Sequence, residues 1–379
     1  MKPLVAVSLG DPAGIGPEIV VEAAARPAVR RACRLVVFGD AGVLDVARKV
    51  RRIAAGAKSA IERIEGVTQF KLTGSLPKPG KRCGEASFRY LEAAARATAG
   101  GGCDALATAP LNKYWLHAAG HRYDGHTEYL AEVAGMPATM MLAGPRLRVV
   151  LVTTHVALAR VPKLLTTERI VAAGRTTAAH LSRFHGIAQP RLAVAALNPH
   201  AGEGGLFGDE EARIISPAVT RLRRAGIDAR GPFPADTLFA AAVAGTYDAV
   251  LCMYHDQALI PLKLVDFREA VNVSMGLSFL RTSPDHGTAY DLAGTGRASA
   301  DSMEASILLA ASMASSRRGA AKVAAPRRVE RNATTAKSAP AAKTKRIARA
   351  GAAAKSAAAA PAAEPKRVAR KSPTAKARR

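Results

Sequence analysis

The segment RVVLVTTH, residues 148–155, is a clear indication of the fold, because an apolar β-branched run ends abruptly there in a histidine. The same arrangement recurs in LAVAALNPH at residues 192–200 and in DAVLCMYH at residues 248–255. Stretches of helical period lie between these runs, such as TERIVAAGRTTAAHLSRF at 167–184 and DEEARIISPAVTRLRRA at 209–225. Apolar strands that alternate with helices predict a parallel sheet covered on both faces, so the predicted fold class is α/β.

The pattern extends from these runs toward the start of the chain. Short apolar runs occur in LVAVSL (4–9), RLVVFG (34–39) and DALATAP (104–110), and EASFRYLEAAARATA (85–99) has helical period. At roughly 150 residues per domain, the 379 residues predict two folded units, and such a chain is long enough to bury a large core.

The composition argues against secreted and membrane classes of protein. The four cysteines are scattered without a C-x-x-C pair, which predicts reduced, buried thiols in a cytoplasmic protein. No apolar run approaches the roughly 20 residues that cross a bilayer. The opening MKPLVAVSLGDPAG predicts a strand rather than a signal peptide.

Basic charge is concentrated at the C-terminal end. Residues 317–379 contain 19 Lys and Arg against two acidic residues, and they account for +17 of the formal net charge of +25. The segment is rich in alanine and has no aromatic residue, so it cannot bury enough apolar surface to fold by itself. We predict a disordered tail, which is either a solubilising appendage or a non-specific contact for nucleic acid.

Three histidines occupy equivalent positions after predicted strands. His155, His200 and His255 are separated by 45 and 55 residues, and each interval is long enough for a helical crossover. Ligands bind beyond the carboxyl ends of strands in such sheets, where three imidazoles could hold a divalent metal. A single histidine at a strand end is more often an ordinary hydrogen-bonded residue, and that alternative stays open from the sequence.

Two further groups of residues could bind an anion. His126 and Thr127 follow Gly125 at a predicted helix start, where backbone N–H groups attract negative charge and Thr127 could cap the helix. The second group carries an ammonium, an amide and a guanidinium in an otherwise apolar stretch: Lys263, Asn272 and Arg281. These side chains suit a phosphate or a carboxylate, although each could equally be a solvated polar residue.

The glycine-rich segment GDPAGIGPE, residues 10–18, predicts a strand end followed by a helix with Pro17 in its first turn. Its glycines do not match G-x-G-x-x-G, and the Walker pattern is absent from the chain. An ordinary Rossmann dinucleotide site is therefore disfavoured.

Eight motifs that occur in order resemble those of one enzyme family. They are GDPAGIGPE (10–18), TAPLNK (108–113), GHTE (125–128), TTH (153–155), LNPHAGEGGLFGDEE (197–211), GPFPADTLF (231–239), YHDQ (254–257) and RTSPDHGTAYDLAGTG (281–296). Over about residues 4–314 the chain resembles the 4-hydroxythreonine-4-phosphate dehydrogenase (PdxA) family of pyridoxal phosphate biosynthesis. The tail lies outside this resemblance.

The resemblance implies a two-lobed α/β/α fold like that of the isocitrate and isopropylmalate dehydrogenases. Residues 1–125 plus 285–316 would form the first lobe, and residues 126–284 a second lobe with the metal ligands and the dimer interface. Residues 317–379 would be the disordered tail. The family also implies a homodimer in which the two protomers share the metal site.

The resemblance assigns roles to residues of this chain. A divalent metal (zinc, magnesium or cobalt) would be bound by His155, His200 and His255. The substrate would be contacted by His126, Thr127, Lys263, Asn272 and Arg281. PDHGTAYDLAGTG is similar to the segment that receives the adenosine part of NAD in isopropylmalate dehydrogenases, which places Gly287 and Asp291 near NAD or NADP. Lys263 and Asp236 are candidate bases.

The implied activity is NAD(P)-dependent oxidation of 4-phosphooxy-L-threonine at C3, followed by decarboxylation to 3-amino-2-oxopropyl phosphate. Ala258 stands where many relatives have glycine, which leaves the substrate preference open. Alternatives with the same fold are dehydrogenases of 4-phosphoerythronate, 4-phosphothreonate or an aromatic cis-diol. A three-histidine metallohydrolase and a polyanion-binding protein acting through its basic tail are alternatives of other classes.

Overall fold

A computed structural model describes residues 1–324 apart from 55, 71 and 73, and eleven strands of this part of the chain form one mixed sheet. In chain order, β1 to β11 are Leu4–Ser8, Arg34–Phe38, Ile61–Glu65, Ala105–Thr108, Thr139–Ala143, Arg148–Leu151, Arg191–Ala195, Asp228–Phe233, Ala249–Cys252, Val271–Met275 and Arg281–Pro284. The helices α1 to α12 are Gly16–Ala25, Pro27–Ala32, Ala41–Val50, Lys81–Ala99, Lys113–Ala118, His126–Ala134, Val161–Leu164, Thr167–His185, Ser216–Arg224, Ala235–Val243, His255–Asp266 and Asp301–Ala324.

The sheet has the strand order β3-β2-β1-β4-β11-β10-β5-β6-β9-β7-β8. Its first five strands run parallel to one another, and so do its last four. Antiparallel pairs made by β10 and β5 join these two parallel halves. The α/β class is confirmed. The antiparallel junction was not predicted, because β5 turns directly into β6 without a helical crossover.

Successive residues of a strand pack on opposite faces of the sheet, as the pleat requires. In β6, Val149 and Leu151 pack against α10 and α11, whereas Val150 faces the core formed with α8 and α9. Burial of each such aliphatic side chain contributes about 1.5–3 kcal/mol to the free energy of folding. The sheet is therefore covered on both faces, and α11 lies on the face opposite α8.

Strands β1 to β4, all from residues 1–125, lie on one side of β11 in the sheet, and strands β5 to β10 lie on its other side. β11 itself, Arg281–Pro284, falls within residues 126–284 but runs parallel to β4 in the first half of the sheet. The lobe boundaries stay a prediction. Residues 317–324 continue α12 instead of starting the tail, because Arg318 pairs with Asp104 at 2.6 Å and Arg317 donates to the Asp104 carbonyl. The remainder of the predicted disordered tail, residues 325–379, lies outside the described residues.

The four cysteines are free and buried, as predicted: Cys33, Cys83, Cys103 and Cys252. Burial raises the pKa of the Cys33 thiol to about 11 and that of Cys83 to about 12, so both are protonated at neutral pH. Among the described helices, none combines the length and the apolar character that a membrane span requires.

Candidate active site

A cavity of about 380 Å³ opens where the two halves of the sheet meet. The start of α6 and the junction strands β4, β10 and β11 supply much of its wall. Residues from all three predicted groups line it, those for substrate, metal and cofactor: His126, Thr127, His155, Asn272, Arg281 and Gly287. The fold thus gathers side chains that lie far apart in the sequence.

Arg281 is the buried cation of this cavity, with only 2% of its surface exposed. Its Nη1 donates to Ser274 Oγ at 3.0 Å and its Nη2 to Thr108 Oγ1 at 2.8 Å. Burial lowers the pKa of the guanidinium to about 9, against the opposing charge of Glu128, so the group is still protonated at pH 7. Both hydrogen-bond partners are neutral, and a buried charge without a paired anion is costly. The cavity is therefore suited to a negatively charged ligand.

Two unpaired polar atoms lie beside this cation. Within the described part of the chain, His126 Nε2 and Asn272 Oδ1 are buried without a hydrogen-bond partner, and so is Nε of Arg281. Burial, together with the charges of Arg281 and Lys113, holds the pKa of His126 well below its usual value. Its ring is therefore neutral and can form one hydrogen bond to a ligand. Buried polar atoms in native proteins are rarely left unpaired, which indicates that a ligand or water completes this set.

Thr127 lines the cavity but does not cap α6. The N-cap residue is Gly125, which has φ 152° and forms no side-chain cap, and the helix begins at His126. A threonine cap precedes the first helical residue, whereas Thr127 is already within the first turn. The predicted cap was wrong, and the hydroxyl of Thr127 is instead part of the cavity wall.

Lys263 reaches the cavity through an ion pair. Its Nζ lies 3.2 Å from Oδ2 of Asp285, and Asp285 lines the cavity just after β11. The other predicted base, Asp236, is an exposed residue in the first turn of α10 and is not part of the cavity wall in the single chain. The structure therefore brings one of the two candidate bases to the site.

Two of the three predicted metal ligands lie close together. The rings of His155 and His255 are 5.5 Å apart between centroids, and His155 lines the cavity. Imidazoles bound to one ion through bonds of about 2.0–2.1 Å have ring centres within about 6 Å of each other, so this spacing fits a shared ion. Burial lowers the pKa of His155, and His255 Nδ1 lies 2.7 Å from Oδ1 of Asp256.

His200 is not grouped with the other two histidines in the single chain. No three His, Cys, Asp or Glu side chains within residues 1–324, as described, are close enough to hold one ion. His200 has φ 50°, in a loop whose backbone is left-handed over residues 200–204. Glu211 anchors this loop, accepting hydrogen bonds from the backbone N–H groups of Leu197 and Asn198 at 2.8 Å each. Burial opposes ionisation of Glu211, but hydrogen bonds from Asn198 outweigh it and lower the pKa.

The predicted cofactor segment packs on the first glycine-rich loop. Ile15 donates its backbone N–H to the Thr288 carbonyl at 2.9 Å, and the Tyr290 hydroxyl donates to Asp11 at 2.6 Å. Gly287 is exposed at the cavity, whereas Asp291 is exposed outside it. The segment therefore borders the site, and the cofactor role of both residues stays a prediction.

Sequence reasoning missed three residues that hold the charged groups in place: Thr108, Ser274 and Asp285. Thr108 ends β4 and Asp285 directly follows β11. Ligands bind beyond the carboxyl ends of the strands, so the same rule that identified the three histidines would also have identified Thr108 and Asp285. Ser274 carries no such signal, because it meets Arg281 only through the antiparallel pairing of β10 with β11.

Comparisons with known proteins identify related sequences. A sequence model of the family described as pyridoxal phosphate biosynthetic protein PdxA matches residues 31–310. A 4-hydroxythreonine-4-phosphate dehydrogenase of Geobacter metallireducens is 54% identical over 330 residues, which cover 83% of this chain and 96% of the relative.

Solved structures give the same relationship. The crystal structure of a 4-hydroxythreonine-4-phosphate dehydrogenase from Klebsiella pneumoniae matches with a TM-score of 0.74 and 41% identity, covering 83% of this chain and 98% of that one. A terephthalate 1,2-cis-dihydrodiol dehydrogenase from Burkholderia xenovorans LB400 matches with a TM-score of 0.60 and 32% identity, with 82% and 98% covered. The similarity thus includes a relative whose name gives a different substrate.

Proposed function

Because this chain belongs to the PdxA family of pyridoxal phosphate biosynthetic proteins, we propose that it oxidises 4-phosphooxy-L-threonine at C3 with NAD or NADP. The C3 carbon loses hydride to the nicotinamide and the C3 hydroxyl loses its proton to the protein, which gives a 3-oxo acid. Loss of CO2 from that acid gives 3-amino-2-oxopropyl phosphate. The observation that supports this proposal best is the buried Arg281, which has only neutral hydroxyl partners.

The phosphate of the substrate is proposed to pair with Arg281. A guanidinium presents a planar fork of donors that matches phosphate oxygens, and a charge-assisted hydrogen bond is roughly twice as strong as a neutral one. The free Nε of Arg281 and the unpaired Nε2 of His126 would gain partners from the same ligand. Asn272 Oδ1, an acceptor, would instead receive a hydrogen bond from a hydroxyl or ammonium group of the substrate.

The metal that the family implies is proposed to lie at His155 and His255. When bound, it would polarise the C3 oxygen and stabilise negative charge there during both steps. Imidazole ligands favour a transition metal such as zinc over magnesium, which prefers oxygen ligands. His155 and His255, whose rings are 5.5 Å apart, would hold the metal beside the cavity that Arg281 lines.

The Asp285–Lys263 pair is proposed to take the C3 hydroxyl proton. The carboxylate of Asp285 lines the cavity, and Nζ of Lys263 lies 3.2 Å from its Oδ2. A carboxylate can accept the proton directly, whereas a protonated lysine cannot. Lys263, predicted as a candidate base, then acts through Asp285 as a positioning residue.

We propose that a second copy of the chain completes the metal site. Exposed apolar side chains accompany each of the three predicted ligands: Leu158 near His155, Leu206 and Phe207 near His200, and Ile260, Leu264 and Phe267 beyond His255. Exposed apolar surface of this kind marks an interaction site. A homodimer would cover these side chains and supply the third imidazole across the interface.

An assay of NADH and NADPH formation tests the proposed function. The full-length protein with a divalent metal should reduce the nicotinamide with 4-phosphooxy-L-threonine and release CO2, and a chelator should abolish both. Turnover at equal efficiency with 4-phosphoerythronate or with an aromatic cis-diol would move the function to one of the alternative substrates. CO2 release without reduction of NAD or NADP would contradict the dehydrogenase.

Contact of the basic C-terminal residues with polyanions is a separate proposal that rests on composition. Removal of residues 327–379 keeps α12 and its contacts with Asp104, so the enzyme should retain kcat/KM within about twofold. Retention on heparin should fall, because the removed charge supplies the non-specific attraction. Loss of turnover on truncation would contradict the assignment of the activity to residues 1–326.

A further inference from the structure

A second cavity of about 380 Å³ lies between α8 and the loop 276–280, which joins β10 to β11. It shares no lining residue with the candidate active site. α8 covers the face of the sheet opposite α11, which carries exposed apolar side chains of the proposed dimer interface. Nothing in the proposed reaction uses this cavity.

The cavity has an apolar floor and a cationic rim. Phe279 and Leu280, each 4% exposed, form the floor. The Arg183 guanidinium lies 5.1 Å from the centre of the Phe184 ring at one side, and Arg317 of α12 stands at another. Arg317 donates a hydrogen bond to the backbone carbonyl of Asp104, and Arg318 forms an ion pair with the Asp104 carboxylate. Within the described residues, neither Arg183 nor Arg317 pairs with a carboxylate.

A buried polar side chain completes the lining. His180 is 6% exposed, and its Nε2 has no hydrogen-bond partner among the residues described in the structure. Burial, with a smaller contribution from His185, lowers the pKa of His180 to about 3, so the ring is neutral at pH 7. A neutral imidazole can donate or accept one hydrogen bond, and such buried groups are normally paired.

We propose that this cavity binds a small anion with an aromatic or apolar body, such as an aryl phosphate or an aryl carboxylate. The body would lie on Phe279 and Leu280, the anionic group would pair with Arg183 and Arg317, and a polar atom of the ligand would bond to His180. The volume falls within the range of about 300–1,000 Å³ that small-molecule sites occupy. The basic C-terminal segment of the chain is not a suitable occupant, because its charge has the same sign as that of the rim.

Calorimetric titration of the full-length protein without substrate tests the site. Phenyl phosphate and benzoate serve as probes. Inorganic phosphate, which has the charge without the ring, and benzyl alcohol, which has the ring without the charge, serve as controls. We expect saturable binding of at least one aryl anion, weakened about tenfold or more by Arg183→Gln, which is exposed and removes one charged partner. Arg281→Gln should change this binding by less than about twofold.

Three results would overturn the proposal. Absence of saturable binding for both aryl anions would do so directly. Loss of binding in Arg281→Gln but not in Arg183→Gln would place the probe in the substrate site. In Arg281→Gln, which lacks the proposed phosphate partner of the substrate site, equal affinity for inorganic phosphate and for the aryl anions would reduce the cavity to non-specific attraction of anions. Because the titration needs no turnover, failure of the proposed enzymatic function would leave its outcome unaffected.

The loop 276–280 connects this cavity with the active site, an extension that rests on the proposed function. It runs from β10, which carries Ser274, to Arg281 at the start of β11, and Gly276 makes the turn with φ 89°. A ligand packed on the loop should restrain Arg281. Phenyl phosphate should therefore change the KM for phosphorylated substrate more in the wild type than in Arg183→Gln. Equal changes in both proteins would indicate simple competition and contradict the coupling.

Discussion

At the scale of single residues, the environment of Arg281 explains the chemistry proposed for the site. Two hydroxyl groups fix the direction of its guanidinium without neutralising it. A carboxylate at either position would hold the side chain equally well but would compete with the ligand. The protein thus keeps a buried positive charge available to an anion, with neutral His126 beside it.

Thr108→Val tests this arrangement, since valine keeps the shape of threonine but removes the hydroxyl that accepts from Arg281. A buried donor left unpaired costs about 1–3 kcal/mol, so KM for the phosphorylated substrate should rise about tenfold with little change in kcat. Thr282→Val is the matched control, because its hydroxyl is also buried but donates to the Ser306 carbonyl. Equal KM values in the two variants would show that Thr108 is only a structural residue.

Arg281, His126 and Asn272 could be identified from the sequence because each is a polar residue inside an apolar or motif context. Ser274 could not, since its meeting with Arg281 depends on the register of an antiparallel pair. The contact of Lys263 with Asp285 depends in the same way on where α11 lies relative to β11. Such contacts depend on tertiary structure and cannot be predicted from the pattern of residues along the chain.

At the scale of elements, α8 contains two histidines whose titration should affect stability, the buried His180 and the partly buried His185. Burial lowers the pKa of His180 to about 3 and that of His185, which also faces the charge of Arg148, to about 4. The unfolded chain binds these protons near pH 6.5, whereas the folded protein binds them only near pH 3 or 4. The stability that these two neutral rings contribute is therefore fully present above pH 6.5, and it is lost as the pH falls from 6.5 to about 3–4.

Urea unfolding between pH 7.5 and 5 measures this effect. Each of these two histidines should contribute a slope of at most about 1.4 kcal/mol per pH unit below pH 6.5, so His185→Gln should show a smaller dependence of the unfolding free energy on pH than the wild type. His117→Gln is the control, because His117 is exposed and its Nε2 lies 2.8 Å from the Tyr123 carbonyl. A slope in His185→Gln equal to that of the wild type would contradict the assignment.

Elements with a strong pattern were predicted closely, and those without one were not. The predicted strand in 148–154 and the predicted helix over 167–184 correspond to β6 and α8. The start of the tail was predicted too early, at residue 317, because Arg317 and Arg318 belong by composition to the basic segment. Their contacts with Asp104, more than 200 residues away, extend the helix and are not visible in composition.

At the scale of the whole molecule, the exposed apolar face of α11 predicts the assembly. Ile260, Leu264 and Phe267 are 66%, 84% and 73% exposed and recur at helical spacing beyond His255. Leu264→Asp would place a charge in the proposed interface, so we expect a monomer in light scattering and loss of most activity. Thr220→Asp, on exposed surface of α9, should remain dimeric and active. A dimer unaffected by Leu264→Asp would contradict this interface.

Arg281 is proposed to make the site specific for a phosphorylated alcohol. The most direct test is the ratio of kcat/KM for 4-phosphooxy-L-threonine to that for unphosphorylated 4-hydroxythreonine, measured in the wild type and in Arg281→Gln. Loss of a charge-assisted pair worth about 1.5–3 kcal/mol should lower this ratio by about 10- to 100-fold, chiefly through the phosphorylated substrate. The same ratio in both proteins would contradict the claim.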